Sequence, residues 1–205
     1  MHLEAITSKQ KRIFDKLNNF PDYYLAGGTA LALQIGHRIS VDFDFFSKTD
    51  IPKKLLSKIK NVFYDIKVTD ILNHSEQLTV DLEGINLTFV RYPFPLISKL
   101  KEYQGVKMLQ VPEIAVTKSY TLGQRATYKD YVDLYFILNE NFCTLSRIIK
   151  LAQKKYKENF DPRLFLEQLV YLEDVKDVEI KFLQKRATKK VLQNFFEHII
   201  SQYKL

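Results

Sequence analysis

Alternating apolar and polar positions predict a β-hairpin in the first half of the chain. In residues 78–82 the apolar positions alternate with Thr79 and Asp81, and residues 85–90 repeat the pattern. The Glu-Gly pair between these two segments suits a tight turn. Residues 63–71 alternate more weakly and predict one further strand before the hairpin.

An earlier segment predicts a strand, a glycine turn, a short helix and a second strand in succession. The first strand ends at residues 24–26, the turn is Gly27-Gly28-Thr29, and residues 30–35 form the apolar helix. Glycines let the backbone N–H groups of a turn approach a ligand closely, and the N-terminus of a helix favours an anion. The turn therefore predicts a phosphate-binding site.

The second strand of this segment predicts a cation site. Because side chains alternate along a strand, Asp42 and Asp44 are expected on one face together with Ser40. The apolar residues among them are expected to point into a core, namely Val41, Phe43 and Phe45. Two neighbouring carboxylates repel each other, and a hard divalent cation such as Mg²⁺ is the natural ion to hold there.

Helical periodicity accounts for most of the remaining chain. Residues 3–18 predict an amphipathic helix whose Thr7-to-Gln10 segment resembles a capping box, and residues 51–60 predict a second, short helix. Four helix starts are predicted in the second half, at Pro112, Thr127, Ser146 and Asp161-Pro162. A last helix is predicted at residues 189–203. The pattern indicates an α+β protein in which a mixed sheet with flanking helices precedes a helical C-terminal half.

Two prolines and the distribution of charge divide the chain. Pro93 and Pro95 end the sheet and predict an α/β core at residues 1–95 and a mainly helical domain at residues 96–205. The first part holds 12 Lys and Arg against 11 Asp and Glu, a net charge of +1, and the second holds 19 against 13, a net charge of +6. Such a basic surface either binds a polyanion or keeps the protein soluble.

The single cysteine and the hydropathy predict the location of the protein. Cys143 has no second cysteine with which to form an internal disulfide, which is typical of a reducing compartment. The N-terminus lacks the apolar run of a signal peptide, and no segment is long enough to cross a membrane. We therefore expect a cytoplasmic protein without membrane association.

Several motifs follow one another in a fixed order. Residues 27–33 read GGTALAL, residues 36–46 read GHRISVDFDFF, and Lys118, Arg125 and the run KDYVDL at residues 129–134 come later. Together they resemble the signature of the AbiEii/AbiGii nucleotidyltransferase toxin family, which belongs to the polymerase-β-like nucleotidyltransferase superfamily. The resemblance covers roughly residues 20–140 and implies the polymerase-β-like fold and the use of an NTP as substrate.

The resemblance also implies roles for individual residues of the first half. Asp42 and Asp44 would be Mg²⁺ ligands and catalytic residues. The candidates for binding the nucleotide phosphates in this half are Gly27, Gly28, Thr29, Arg38 and Ser40. Enzymes of this superfamily generally carry a third acid on a neighbouring strand, where this chain offers only Asn86 and Thr88. Asp81 is the candidate third metal ligand, provided that its strand lies beside residues 41–45.

In the second half, each candidate has a structural alternative. Lys118 would contact the triphosphate or the transition state, although a cation near the end of a helix is favourable in any case. Asp130 or Asp133 would be a further essential acid, or would orient Lys129 at the nucleotide. Asp130 could instead complete a capping box with Thr127, and Lys129 could pair with Asp133 on the helix surface.

The implied activity is that of a toxin acting on RNA. Members of the family are typically toxins of toxin–antitoxin or abortive-infection systems, and some transfer nucleotides to the 3′ end of tRNA. We therefore expect a Mg²⁺-dependent nucleotidyltransferase with tRNA as acceptor and a cognate antitoxin protein as partner. Two alternatives stay open: a catalytically silent member that binds nucleotide or nucleic acid, and a nucleotidyltransferase that modifies a protein or a small molecule.

Overall fold

The computed structural model describes residues 1–203, which divide into two compact units. The first unit spans residues 1–110 and the second begins at residue 111. The sequence placed the domain boundary after residue 95, whereas residues 101–108 form two short strands that join the sheet of the first unit.

One seven-stranded mixed sheet organises the first unit. Its strands are β1 (Tyr24–Ala26), β2 (Phe43–Ser47), β3 (Val68–Asn73), β4 (Gln77–Leu82), β5 (Asn86–Arg91), β6 (Lys101–Tyr103) and β7 (Val106–Met108), in the order β3-β4-β5-β2-β1-β7-β6. β2 runs parallel to β5, β1 runs parallel to β7, and the other neighbours are antiparallel. The expected α+β class and mixed sheet are confirmed.

The predicted hairpin joins β4 to β5. Its turn residues, Glu83 and Gly84, have φ angles of +55° and +90°. Two consecutive residues with positive φ match the right-handed twist of the flanking strands.

Aromatic side chains form the core on one face of the sheet. Phe43 and Phe45 are buried there, and Phe45 stacks on Phe89 of β5 with ring centroids 5.5 Å apart. The expectation that Val41 also points into the core is wrong, because its side chain is 46% exposed. Val41 lies before β2 begins, so the alternation of the strand does not yet apply to it.

The helices of the first unit are α1 (Ser8–Phe14), α2 (Gly27–Ile35) and α3 (Leu55–Val62). The continuous helix predicted at residues 3–18 is instead α1 flanked by two 3₁₀ turns, Leu3–Ala5 and Leu17–Asn19. The interruption has a local cause: Thr7 has extended backbone angles and caps α1 in the predicted capping box with Gln10.

Helices build the second unit, as the sequence predicted. They are α4 (Val111–Arg125), α5 (Tyr128–Asn139), α6 (Leu145–Tyr156), α7 (Pro162–Val170) and α8 (Lys189–Ser201). Thr127 and Asp161 are the N-caps of α5 and α7, as expected. The predicted N-cap at Ser146 is wrong, because the Thr144 side chain accepts the backbone N–H of Arg147 and α6 starts two residues earlier. Among residues 1–203, no helix has the length and apolarity needed to cross a membrane.

Candidate active site

The glycine turn brings the backbone at the start of α2 against a carboxylate. Gly27 follows β1 with φ +66°, a conformation that costs an L-residue roughly 1–2 kcal/mol. A Cβ at this position would lie 2.7 Å from Oδ2 of Asp44. A Cβ on Gly28 would collide with the guanidinium group of Arg38. Glycine is therefore favoured at position 27 by both backbone geometry and close approach, and at position 28 by close approach alone.

Asp42 and Asp44 lie at the end of the sheet where β1 ends and β2 begins. Asp44 pairs with Ala26 of β1 and with Thr88 of β5. Asp42 precedes β2, and its Oδ1 accepts the backbone N–H of Asn86 at 3.1 Å. Both side chains are half-buried. The two carboxylates are thus each held by the fold, Asp42 at the start of β5 and Asp44 beside the N-terminus of α2.

Three buried side chains support the backbone that leads to Asp42. The Thr29 hydroxyl lies within hydrogen-bond distance of the Asp42 carbonyl and 2.8 Å from the Ser40 hydroxyl. The Gln10 amide nitrogen donates to the carbonyls of Ser40 and Val41, the latter at 2.7 Å. The sequence predicts Gln10 as a capping residue and gives no signal of this second role, because Gln10 and Ser40 lie 30 positions apart in the chain.

The phosphate-binding candidates of the first half are largely buried. Thr29, Ser40 and Arg38 are 1%, 7% and 3% exposed, respectively. Thr29 and Ser40 contact each other, and Nη1 of Arg38 donates to the carbonyl of Ile39 at 3.2 Å. The structure thus gives these three side chains contacts that hold the loop carrying Asp42.

The condition that would have made Asp81 a third metal ligand is not met. The strand that pairs with β2 is β5 rather than β4, and Asp81 of β4 pairs with Asn86 of β5. With strands about 4.8 Å apart, Asp81 is roughly two strand spacings from β2. Its Oδ2 instead accepts the backbone N–H of Gly84 at 2.8 Å and stabilises the hairpin turn.

The donor set of the site fits Mg²⁺ without a third carboxylate. In residues 1–203, no group of three His, Cys, Asp or Glu side chains is placed to hold a metal ion. Mg²⁺ prefers oxygen ligands, keeps several waters, and is usually bound by one or two carboxylates together with substrate phosphates. Asp42 and Asp44 supply such a pair of carboxylates, next to a helix N-terminus suited to phosphate.

The second unit contains a buried ionic cluster formed by three predicted residues. Nζ of Lys118, in the middle of α4, lies 2.7 Å from Oδ1 of Asp130 and 2.7 Å from Oδ2 of Asp133. Lys118 is 8% exposed and Asp133 is fully buried. The structural explanation of Lys118 as a helix-end cation is wrong, because seven residues of α4 follow it.

Asp130 has a capping role as well as its ion pair. Its Oδ2 accepts from the Thr127 backbone N–H at 3.1 Å and from the Thr127 hydroxyl at 2.7 Å, which forms the capping box. Its other carboxylate oxygen, Oδ1, accepts a hydrogen bond from Nζ of Lys118. Lys129 is exposed, and the carboxylate of Asp133 meets Lys118. The cluster therefore joins α4 to the start of α5 and contains both predicted acids.

Comparison with known proteins identifies relatives over nearly the whole chain. The family described as "Nucleotidyl transferase AbiEii toxin, Type IV TA system" matches residues 11–204. The uncharacterized protein aq_aa25 of Aquifex aeolicus (strain VF5) is 32% identical over 185 residues, which are 84% of this chain and 89% of that protein.

Solved structures share the fold at low sequence identity. MenT4, a nucleotidyltransferase toxin from Mycobacterium tuberculosis H37Rv, has a TM-score of 0.59 at 14% identity, over 94% of this chain and 82% of that chain. JHP933 from Helicobacter pylori has a TM-score of 0.53 at 15% identity, over 95% and 93% of the two chains. Because the family match spans both units, the chain belongs to the AbiEii nucleotidyltransferase toxin family of type IV toxin–antitoxin systems, and it is a nucleotidyltransferase.

Proposed function

We propose that this toxin transfers an NMP group from an NTP to RNA, with the 3′ end of tRNA as the acceptor, in a reaction that depends on Mg²⁺. The observation that carries the proposal is the placement of Asp44 beside the N-terminus of α2, so close that a Cβ on Gly27 would lie 2.7 Å from its carboxylate, while the Asn86 N–H holds the carboxylate of Asp42 two residues earlier. Nucleotidyl transfer requires both parts, namely oxygen ligands for a cation and backbone donors for phosphate.

The residues of the first unit have distinct parts in this proposal. Asp42 and Asp44 would hold the cation, which would supply positive charge to offset the negative charge that develops during nucleotidyl transfer. The backbone N–H groups of Gly28 and Thr29 bind phosphate at the start of α2. The Asn86 N–H orients the Asp42 carboxylate before substrate arrives, which reduces the reorganisation needed during the reaction.

In the second unit, we assign Lys118 to the triphosphate and Asp133 to the positioning of Lys118. The 2.7 Å contact between Asp133 and Lys118 supports the positioning role, because a buried carboxylate in direct contact fixes the position of the ammonium group. Asp130 shares this role and starts α5. Lys129, which is exposed, is assigned to the nucleotide or RNA phosphates.

The test is a transfer assay with purified protein, Mg²⁺, each labelled NTP in turn, and unfractionated tRNA. We expect label at the tRNA 3′ end, none in the presence of a chelator, and none with Asp42→Asn/Asp44→Asn. The matched control is Asp15→Asn/Asp70→Asn, which removes the same charge from two exposed residues of the same unit and should leave transfer unchanged. Label found at an internal position of the tRNA, or on another molecule, would contradict the proposed acceptor.

One observation favours a catalytically silent member as the second candidate. Asn86 occupies the strand position beside Asp42 at which an acid would complete a three-carboxylate site, and Asp81 is one strand further away. Calorimetry distinguishes the two functions. An active enzyme binds NTP more tightly with Mg²⁺ than without it, whereas a silent member binds NTP without Mg²⁺ dependence or does not bind it.

Label that enters protein or a small molecule in the transfer assay would identify a different acceptor.

A further inference from the structure

A cavity lies in the first unit, between the residues that follow α1 and helix α3. Its volume is about 880 Å³. We call it the lysine groove and define it by the residues Lys16, Asn19, Lys54, Lys58, Asn61 and Tyr64. None of these residues belongs to the motifs discussed above.

The lysine groove is on the opposite side of the sheet from the catalytic carboxylates. Tyr23, which also lines it, packs edge-on against Phe89 with ring centroids 4.8 Å apart. Phe89 stacks on Phe45, so both rings lie on the core face of the sheet. Asp44 is the neighbour of Phe45 in β2 and points to the other face. A ligand in the groove therefore occupies a site distinct from the NTP site.

Positive charge is concentrated along this groove. Residues 52–62 contain four lysines and no acid, although the whole of residues 1–95 has a net charge of only +1. Nζ of Lys58 lies 5.3 Å from the centre of the Phe20 ring, and Lys16 pairs with Asp65. Both Lys54, the N-cap of α3, and Lys58, in the middle of α3, are exposed. One acid, Asp22, also lines the groove, so Lys54 and Lys58 are the cations that it presents to an anionic partner.

An exposed aromatic ring accompanies these cations. The Tyr64 side chain is 84% exposed, the largest value among the exposed large hydrophobic residues of residues 1–203. Nζ of Lys16 lies 5.3 Å from the centre of its ring. Lysines that follow a phosphate backbone, together with an aromatic face on which a base stacks, are typical of proteins that bind single-stranded nucleic acid. The side chains of Asn19 and Asn61 add donors and acceptors suited to base edges.

We propose that the lysine groove binds a single-stranded segment of RNA, with phosphates at Lys54 and Lys58 and one base stacked on Tyr64. The inference rests on the proposed function in taking RNA as the acceptor. It adds a docking site remote from the reacting end. An acidic protein partner would also complement the lysines, but it gives no reason for the exposed ring beside them.

The experiment measures binding of a fluorescent single-stranded RNA of about 12 nucleotides by anisotropy over a range of salt concentrations. Protein with Asp42→Ala/Asp44→Ala is used without NTP, so that the result does not depend on catalysis. We expect Lys54→Glu/Lys58→Glu to weaken binding by about tenfold or more. The slope of log affinity against log salt should fall by about 1.4, because each lost phosphate contact in single-stranded nucleic acid contributes about 0.7.

Lys53→Glu/Lys60→Glu is the matched control, since it makes the same charge change on the same segment outside the groove. It should retain most of the affinity and the wild-type salt slope. Tyr64→Ala should weaken binding about tenfold through lost stacking, and Tyr64→Phe should restore it. The proposal would be overturned if Lys54→Glu/Lys58→Glu and Lys53→Glu/Lys60→Glu lost RNA affinity equally. An unchanged affinity in Tyr64→Ala would also overturn it. The proposal would also be overturned if Lys54→Glu/Lys58→Glu left RNA binding intact and instead abolished binding to an acidic protein.

Discussion

Gln10 offers a sharp test of how the fold positions Asp42. The substitution Gln10→Glu keeps the size of the side chain and its ability to accept the Thr7 backbone N–H, which Gln10 now accepts at 2.9 Å. A glutamate buried here among carbonyl oxygens is neutralised, and it then has one proton to donate where the amide has two, so at least one of the bonds to the Ser40 and Val41 carbonyls is lost. The variant therefore retains the helix cap and loses part of the support of the loop.

The expected cost follows from the carbonyl groups that lose their donor. Each buried acceptor without a partner costs about 1–3 kcal/mol, and the partly exposed position of Val41 lowers its share, so the total for one or two lost bonds is about 1–4 kcal/mol. A typical domain has a free energy of unfolding of about 5–15 kcal/mol, so the variant should fold. A shift of about 1 Å in Asp42 would lower the transfer rate by about 100-fold.

The assay compares kcat for transfer with the free energy of unfolding in urea. Thr7→Ala is the control, because it removes the cap of α1 at a cost of about 1 kcal/mol and leaves the amide of Gln10 in place. We expect Gln10→Glu to lose kcat far beyond its loss of stability, and Thr7→Ala to keep kcat. A Gln10→Glu enzyme that is less stable but has the wild-type kcat would refute the positioning role.

Further predictions concern the ionic cluster, a buried tyrosine and the glycine turn. Lys118→Met should lower the free energy of unfolding by about 3–5 kcal/mol by leaving carboxylates buried without a cation, and adding Asp133→Leu should recover part of the loss in urea unfolding. Burial raises the pKa of Tyr131 from 10.0 to about 12, so its contribution to stability is complete below pH 10 and is lost as the pH rises toward 12. Between pH 9 and pH 11.5, the free energy of unfolding should therefore fall less in Tyr131→Phe than in the wild type. Gly27→Ala should fold, at a cost of about 1–2 kcal/mol, yet lose transfer activity, because its methyl group displaces the Asp44 carboxylate; wild-type activity would contradict the close approach.

Local features of the fold were predictable because local physics determines them. The hairpin follows from strict alternation on both sides of a Glu-Gly pair, and the caps at Thr127 and Asp161 follow from side chains that accept backbone N–H groups. The boundary between β1 and α2 was likewise visible, since the positive φ of Gly27 beside a carboxylate favours glycine.

Strand order and buried charge were not predictable from the sequence. The parallel pairing of β2 with β5 joins segments about forty residues apart, and nothing local in either strand specifies that neighbour. The same applies to Glu113 and Lys155, which form a fully buried pair at 2.8 Å although each is a residue typical of helix surfaces. Burial lowers the pKa of Lys155, while the adjacent Glu113 opposes that shift.

The strand order also bears on how a site with two carboxylates can be catalytic. Because β5 lies beside β2, a backbone N–H of Asn86 contacts Asp42, and no carboxylate stands at that strand position. That contact orients an existing ligand and adds no negative charge. Phosphoryl-type transfer leaves little covalent chemistry to the protein, so most of its rate comes from positioning and electrostatic stabilisation. We therefore expect the rate to depend more on the rigidity of the Asp42 loop than on any third carboxylate.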